Sequence, residues 1–124
     1  MKQTKSTEDY LEAIYVLSQK NNPVRVKSIA EFLSVKPPSV TGALKKLASN
    51  GYVEHTPYGG VMLTDKGKKL GESVWEKHRL LFSLLHDVLH VSEEEAFKEA
   101  CLIEHCISNE TKEKIKAFLK DRKI

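Results

Sequence analysis

Hydrophobic residues recur along this chain with two different periods, and the switch between them outlines a fold. In STEDYLEAIYVLSQKNN, Leu11, Ile14, Tyr15 and Leu17 fall at helical spacing. Ser6 or Thr7 can cap ahead of the acidic first turn, which predicts a first helix ending near Asn21-Asn22-Pro23. VRVKSIAEFLSV begins as a short extended piece, and residues Ser28 to Leu33 predict a short second helix. KPPSVTGALKKLASNG follows a tight break. Adjacent prolines suit the first turn of a helix, where a missing N–H costs nothing. Val40, Leu44 and Leu47 form its apolar stripe, and Asn50-Gly51 is a C-terminal stop.

The period then shortens to two. YVEHT and GVMLT flank PYGG and predict a β-hairpin. Thr64 caps the next segment, where Val74, His78, Leu81, Leu85 and Leu89 continue one stripe through DKGKKLGESVWEKHRLLFSLLHDVLH. A helix of about 25 residues would run about 38 Å. SEEEAFKEACLIEHCI opens on a capping box, Ser92 with Glu95, and SNETKEKIKAFLKDRKI reads as a last amphipathic helix. The order predicts a mainly α fold with a small β-hairpin. Its first four elements give an N-terminal winged helix-turn-helix over residues 1–70, followed by a helical domain over 71–124.

Charge sharpens this division. The net charge of +3 conceals 11 Lys and Arg against 6 Asp and Glu in residues 1–70, and 9 against 11 in the remainder. A basic first half fits a polyanionic partner. In a winged helix-turn-helix the third helix enters the major groove by its N-terminal turn. Here that turn offers Lys36, Pro37, Ser39, Thr41 and Gly42 to base edges and phosphate. Lys45, Lys46, Arg25 and Lys27 suit phosphate contacts, and Tyr58 with Gly59-Gly60 forms a wing tip that could lie along the DNA backbone. A winged helix used only for protein contacts is the alternative. No window approaches the roughly 18 apolar residues of a membrane span. MKQTKSTEDY has no apolar signal region, so a cytoplasmic protein with reduced thiols is expected.

The chemistry sits in EACLIEHCIS. On a helix, Cys101, Glu104 and His105 fall within about 100° of one another. Thiolate, carboxylate and imidazole all ligate first-row transition metals. Further ligands must come from elsewhere, and His78 on the long apolar stripe and the Asp9/Glu12 pair of the first helix are the candidates. Taken singly, His78 could be a satisfied core histidine and Asp9/Glu12 a solvated face favoured by the helix dipole. A buried Glu104 is harder to dismiss, because it needs a partner. Cys106, about 140° round the helix from Cys101, reads as a core residue. A metallohydrolase is the rival use of such ligands, but the chain has no HExxH, and no enzyme is expected.

STEDYLEAIYVL, RVKSIAEFLSVKPPSVTGALKKL, YGGVMLTDKGKKLG, KHRLL and EACLIEHCIS together resemble the diphtheria toxin repressor family of metal-activated repressors. The short length and the Asp9/Glu12 pair resemble its manganese transport regulator branch more than the iron branch, which typically adds a C-terminal SH3-like domain. The resemblance implies a homodimer on double-stranded operator DNA, with residues 71–124 serving dimerisation and metal binding. It also implies Asp9, Glu12, His78, Glu104 and His105 as ligands of Mn²⁺ or Fe²⁺. Cys101 departs from the manganese branch, which has glutamate there, and matches the iron branch. Asp9 departs from the iron branch, which has methionine there. Two ancillary iron-branch ligands, a glutamate and a histidine, align with Phe82 and Phe97. A thiolate ligand brings Co²⁺ and Zn²⁺ into range. A winged-helix regulator not gated by metal remains the alternative within DNA binding.

Overall fold

The computed structural model describes residues 4–57 and 59–122, and the chain divides into two compact units at Ser73/Val74. Its elements run α1 (Lys5–Ser18), α2 (Val26–Leu33), α3 (Pro37–Ser49), β1 (Val53–His55), β2 (Val61–Leu63), α4 (Asp65–Ser83), a π-helical turn (Leu84–Val88), α5 (Glu93–Ile103) and α6 (Asn109–Asp121). This is the mainly helical fold with one antiparallel hairpin that the hydrophobic periods predict.

In the first unit the cap of α1 falls earlier than expected. Thr4, not Ser6 or Thr7, accepts the Thr7 N–H at 3.1 Å, so the helix starts at Lys5. α2 begins at Val26, with Val24 forming a bridge to Val61 through N–H···O bonds of 2.9 and 2.8 Å. The break between α2 and α3 is a three-residue turn. Ser34 adopts φ 56° and sends its N–H to Glu31 O, while Val35 N–H reaches Ala30 O at 3.0 Å. This paired C-terminal motif normally uses glycine at the left-handed position. Pro37 and Pro38 occupy the first turn of α3, as their missing donors allow.

Val40, Leu44 and Leu47 of α3 pack with Leu11, Ile14, Ile29, Val24, Tyr52, Val53 and Val61 into one core. The hairpin pairs Val53 with Leu63, Glu54 with Met62 and His55 with Val61. Thr64 caps α4 by accepting the Gly67 N–H at 3.2 Å, and its hydroxyl donates to Gly51 O at 2.6 Å. The first turns of α4 then approach their neighbours backbone to backbone. A Cβ at Gly67 would lie 2.1 Å from Tyr52 O, and one at Gly71 2.6 Å from Leu11 O.

In the second unit the expected 25-residue helix does not run uniformly. Regular α-helix stops at Ser83, and the π-helical turn follows, with Leu89 N–H bonded to Leu84 O. The wider turn rotates the apolar stripe out of register. Val74, His78 and Leu81 are buried, whereas Leu89 is 59% exposed. Ser92 caps α5 through the Glu95 N–H, the backbone-donor half of the expected box. Glu76 of α4 lies 3.0 Å from Lys112 Nζ and 3.3 Å from Lys116 Nζ of α6. The Lys112 hydrogen bond, assisted by Lys116, holds its carboxyl below the usual range against the opposing effect of burial.

Because the Gly71 approach is to backbone, a methyl there cannot be relieved by a rotamer change. Gly71→Ala is expected to destabilise the protein by about 1–3 kcal/mol, seen as a lower urea midpoint at unchanged slope in circular dichroism.

Candidate metal centre and nucleic-acid interface

His78 projects from α4 into the interior of the second unit, one turn beyond Trp75. α5 supplies Cys101 near its end, and Glu104 is the residue at its C-terminal cap. The structure brings these three together. His78 Nδ1 lies 3.2 Å from Glu104 Oε1 and 3.8 Å from Cys101 Sγ, and one donor atom from each lies within 4.8 Å of the other two. His78 is 4% exposed and Glu104 1%, while Cys101 is half-buried and not in a disulfide.

These separations fit a shared cation. Donors on one tetrahedral first-row ion sit about 3.3–3.8 Å apart when metal–nitrogen, –oxygen and –sulfur distances are about 2.0–2.3 Å. The observed 3.2 and 3.8 Å lie at about the two ends of that range. The donor set is one imidazole, one thiol and one carboxylate, a mixture that serves borderline divalent ions. A carboxylate this deeply buried also needs compensation from its surroundings. The residues present therefore fit the divalent metal that the ligand pattern implies.

Two aromatic rings fix the imidazole. Trp75 stacks on it with centroids 5.3 Å apart and planes at 9°, and Phe97 meets it edge-on at 5.0 Å and 75°. They hold the ring while Nδ1 faces Cys101 and Glu104, and they leave apolar walls around it. Neither contact was anticipated from sequence. The i, i+3 spacing of Trp75 to His78 and the i, i+4 spacing of Phe97 to Cys101 were the available signals.

Cys106 is placed differently from the helical projection. α5 ends at Ile103, and Cys106 N–H bonds Ile103 O at 2.8 Å in a following turn. The 100° step per residue ceases to apply there, so Cys106 is exposed rather than core. His105, half-buried, is not one of the three converging residues. Asp9 and Glu12 lie on α1 in the other unit, half-buried, with Lys5 Nζ 3.1 Å from Asp9 Oδ2.

On the first unit, every described candidate for nucleic-acid contact is exposed: Arg25, Lys27, Lys36, Pro37, Ser39, Thr41, Gly42, Lys45 and Lys46. Tyr58 lies outside the described residues. Thr41 donates its hydroxyl to Pro37 O at 3.2 Å, which leaves its oxygen lone pairs available outward. A Cβ at Gly42 would meet nothing within 4 Å, so packing within the protein does not demand glycine there. The wing is closed by Thr56, whose hydroxyl donates to Gly59 O and whose N–H bonds Gly60 O at 3.1 Å.

Comparison with known proteins matches this architecture in both halves. The family model for the N-terminal DNA-binding domain of iron-dependent repressors matches residues 2–61. The model for the metal-binding and dimerisation domain of the same repressors matches residues 64–124. An uncharacterized HTH-type transcriptional regulator of Methanocaldococcus jannaschii is 39% identical over 117 residues, covering 94% of each chain. The HTH-type transcriptional regulator MntR of Geobacillus kaustophilus is 42% identical over 105 residues, covering 85% of this chain and 74% of that one. The solved structure of the manganese regulator SloR superposes with a TM-score of 0.82 at 36% identity over 95% of this chain. This chain spans about half the length of that structure, 55%.

If the three converging residues hold the ion, metal must stabilise the fold through them. A divalent metal at about a hundred times its Kd adds about 2.7 kcal/mol of stability. The thermal midpoint of the native protein should rise on adding Mn²⁺ or Zn²⁺, and that of Glu104→Leu should not. Equal shifts in both would place the ion elsewhere.

Proposed function

The chain belongs to the iron-dependent repressor family, and from that premise we propose that it is a metal-activated transcriptional repressor controlling metal-homeostasis genes. It binds operator DNA as a homodimer. Its family is one of DNA-binding regulators, not of enzymes. The observation that carries the metal dependence is the buried convergence of His78, Cys101 and Glu104.

The proposed ligand set is His78, Cys101 and Glu104, with Asp9, Glu12 and His105 added on the strength of the family resemblance. Mn²⁺ and Fe²⁺ are the proposed physiological ions, and Co²⁺ and Zn²⁺ are accepted in vitro. A bound divalent cation supplies the positive charge that a thiolate and a buried carboxylate require. Glu104 and Cys101 present that negative charge, and His78, held by Trp75 and Phe97, presents a neutral nitrogen. Metal promotes DNA binding only as far as these residues hold it more tightly in the DNA-competent state, and DNA must then tighten metal binding equally.

On the first unit, the N-terminal turn of α3 is proposed to enter the major groove, with Ser39 and Thr41 at base edges. Arg25, Lys27, Lys36, Lys45 and Lys46 contact phosphates, Pro37 and Gly42 permit close approach, and Tyr58 serves the wing. Homodimerisation is supported by Leu89, Phe97, Leu102 and Phe118, large apolar side chains that the second unit leaves exposed. Among the described residues no helix is long and apolar enough to cross a membrane, and a cytoplasmic site of action is part of the proposal.

Fluorescence anisotropy of labelled DNA carrying the upstream region of a metal-transport gene tests the function. Affinity should rise at least tenfold with Mn²⁺ or Fe²⁺ over chelator, and equal affinity in both conditions would favour a regulator not gated by metal. The same assay should show Cys101→Glu moving the metal ranking toward Mn²⁺, because a carboxylate replaces the soft donor. An unchanged ranking would show that Cys101 is not a ligand.

A further inference from the structure

The turn that follows α5 carries Glu104 and His105 outside any helix. Glu104 is the cap of α5 and Ser108 the cap of α6, and His105, Cys106 and Ile107 connect the two. Backbone bonds fix the start of this turn, with Glu104 N–H on Ala100 O at 3.0 Å and Cys106 N–H on Ile103 O at 2.8 Å. Ser108 fixes its end by accepting the Thr111 N–H at 3.1 Å.

A different helix holds the residue before that cap. Lys77 of α4 donates from Nζ to Ile107 O at 3.2 Å, a bond between residues 30 positions apart. Its side chain is half-buried, whereas Lys66, Lys68 and Lys69 earlier on α4 are exposed. A lysine in this position loses hydration and rotamer freedom, and a charge-assisted bond to a backbone oxygen offsets that loss.

Lys77 stands between two residues that bind the same neighbours. His78 reaches Glu104 Oε1 at 3.2 Å, and Glu76 lies 3.0 Å from Lys112 Nζ and 3.3 Å from Lys116 Nζ on α6. Successive side chains on a helix point about 100° apart. Three consecutive residues of α4 therefore fan over the end of α5, the connecting turn and α6. The spacing of Glu104 from His78 thus depends on α4 at two points, the imidazole itself and the Lys77 tether.

We propose that Lys77 is a positioning residue of the metal centre, whose bond to Ile107 O holds the turn that presents Glu104 and His105. This rests on the reading of His78, Cys101 and Glu104 as metal ligands. Lys77 acts through the backbone of the turn. Donors fixed before the ion arrives lose less freedom on binding it. Removing the tether leaves the donor set unchanged but makes ordering it costlier, so affinity falls while stoichiometry stays. The loss falls on Glu104 more than on Cys101, which α5 itself holds. The sign separates positioning from charge. Deleting a cation beside the centre would, by Coulomb attraction alone, tighten binding of a divalent ion. Positioning predicts the opposite.

Co²⁺ titrations of the full chain, followed by absorption, read affinity and coordination together. Lys77→Met keeps the stem and loses the donor, and circular dichroism checks its fold. It should bind Co²⁺ about tenfold more weakly than the native chain. At saturation its thiolate-to-cobalt band should remain while the ligand-field bands shift. Lys77→Arg, which keeps a donor and the charge, should recover most of the affinity. Lys116→Met, which removes one α6 partner of Glu76, should leave Co²⁺ affinity unchanged. Unchanged or tighter binding in Lys77→Met would overturn the proposal, as would equal weakening in Lys116→Met or no recovery in Lys77→Arg. Native affinity that survives Glu104→Leu would instead overturn the ligand reading, and the proposal with it.

Discussion

A carboxylate at 1% exposure must be balanced by hydrogen bonds, opposite charge or a bound cation, and the second unit is organised around satisfying that demand at Glu104. Its oxygen faces His78, and its position follows from where α5 stops. The helix ends at Ile103, and the glutamate sits at its C-terminal cap. Ala96 and Ala100 are fully buried on the same helix, and residues this small let α5 pack closely. Trp75 and Phe97 then occupy the space around the imidazole with rings that offer no competing donor or acceptor toward Nδ1.

The low polarity of those walls decides what the cluster can do. Opposite charges interact more strongly where water is excluded, and uncompensated charges cost more. A cation among His78, Cys101 and Glu104 would meet two potentially anionic donors and one neutral donor, close to neutrality for a divalent ion. Replacing any one of them changes both the donor and the local charge. Cys101 is the least constrained of the three, being half-buried and on the rim of the cluster. It is also the donor whose softness discriminates among first-row metals, so selectivity can vary at this position with little disturbance to the buried pair of His78 and Glu104.

Much of the fold was legible because the hydrophobic periods are clean. Val40, Leu44 and Leu47 are buried where the helical stripe put them, and the hairpin falls between YVEHT and GVMLT. The departures share a cause: local geometry that leaves the 3.6-residue repeat. The π-helical turn at Leu84–Val88 takes Leu89 off the stripe, and the end of α5 takes Cys106 to the surface. Neither has a strong composition signal, since His90 stands where a glycine would have announced the stop. In the centre, the residue types and the spacing of Cys101 and Glu104 were readable. His78, 23 and 26 residues away, was readable as a candidate partner and implied by the family resemblance, but spacing alone could not establish the convergence, because it depends on how α4 and α5 pack.

The two units divide the chemistry by sign. Among the described residues, the first keeps its lysines and arginines on the outside, with Lys36, Lys45 and Lys46 on or beside α3, while its apolar residues fill the core. The second carries the acidic excess, and much of it lies at Glu93, Glu94 and Glu95, where the α5 dipole favours negative charge. That placement leaves Glu104 as the one buried acidic residue among those described. The pocket beside His78 is also lined by the exposed Glu93 and Glu94, but only Glu104 offers a buried carboxylate. Exposed carboxylates bind divalent ions weakly and with little preference. A single buried one, paired with imidazole and thiol at fixed separations, lets donor type and spacing select the metal.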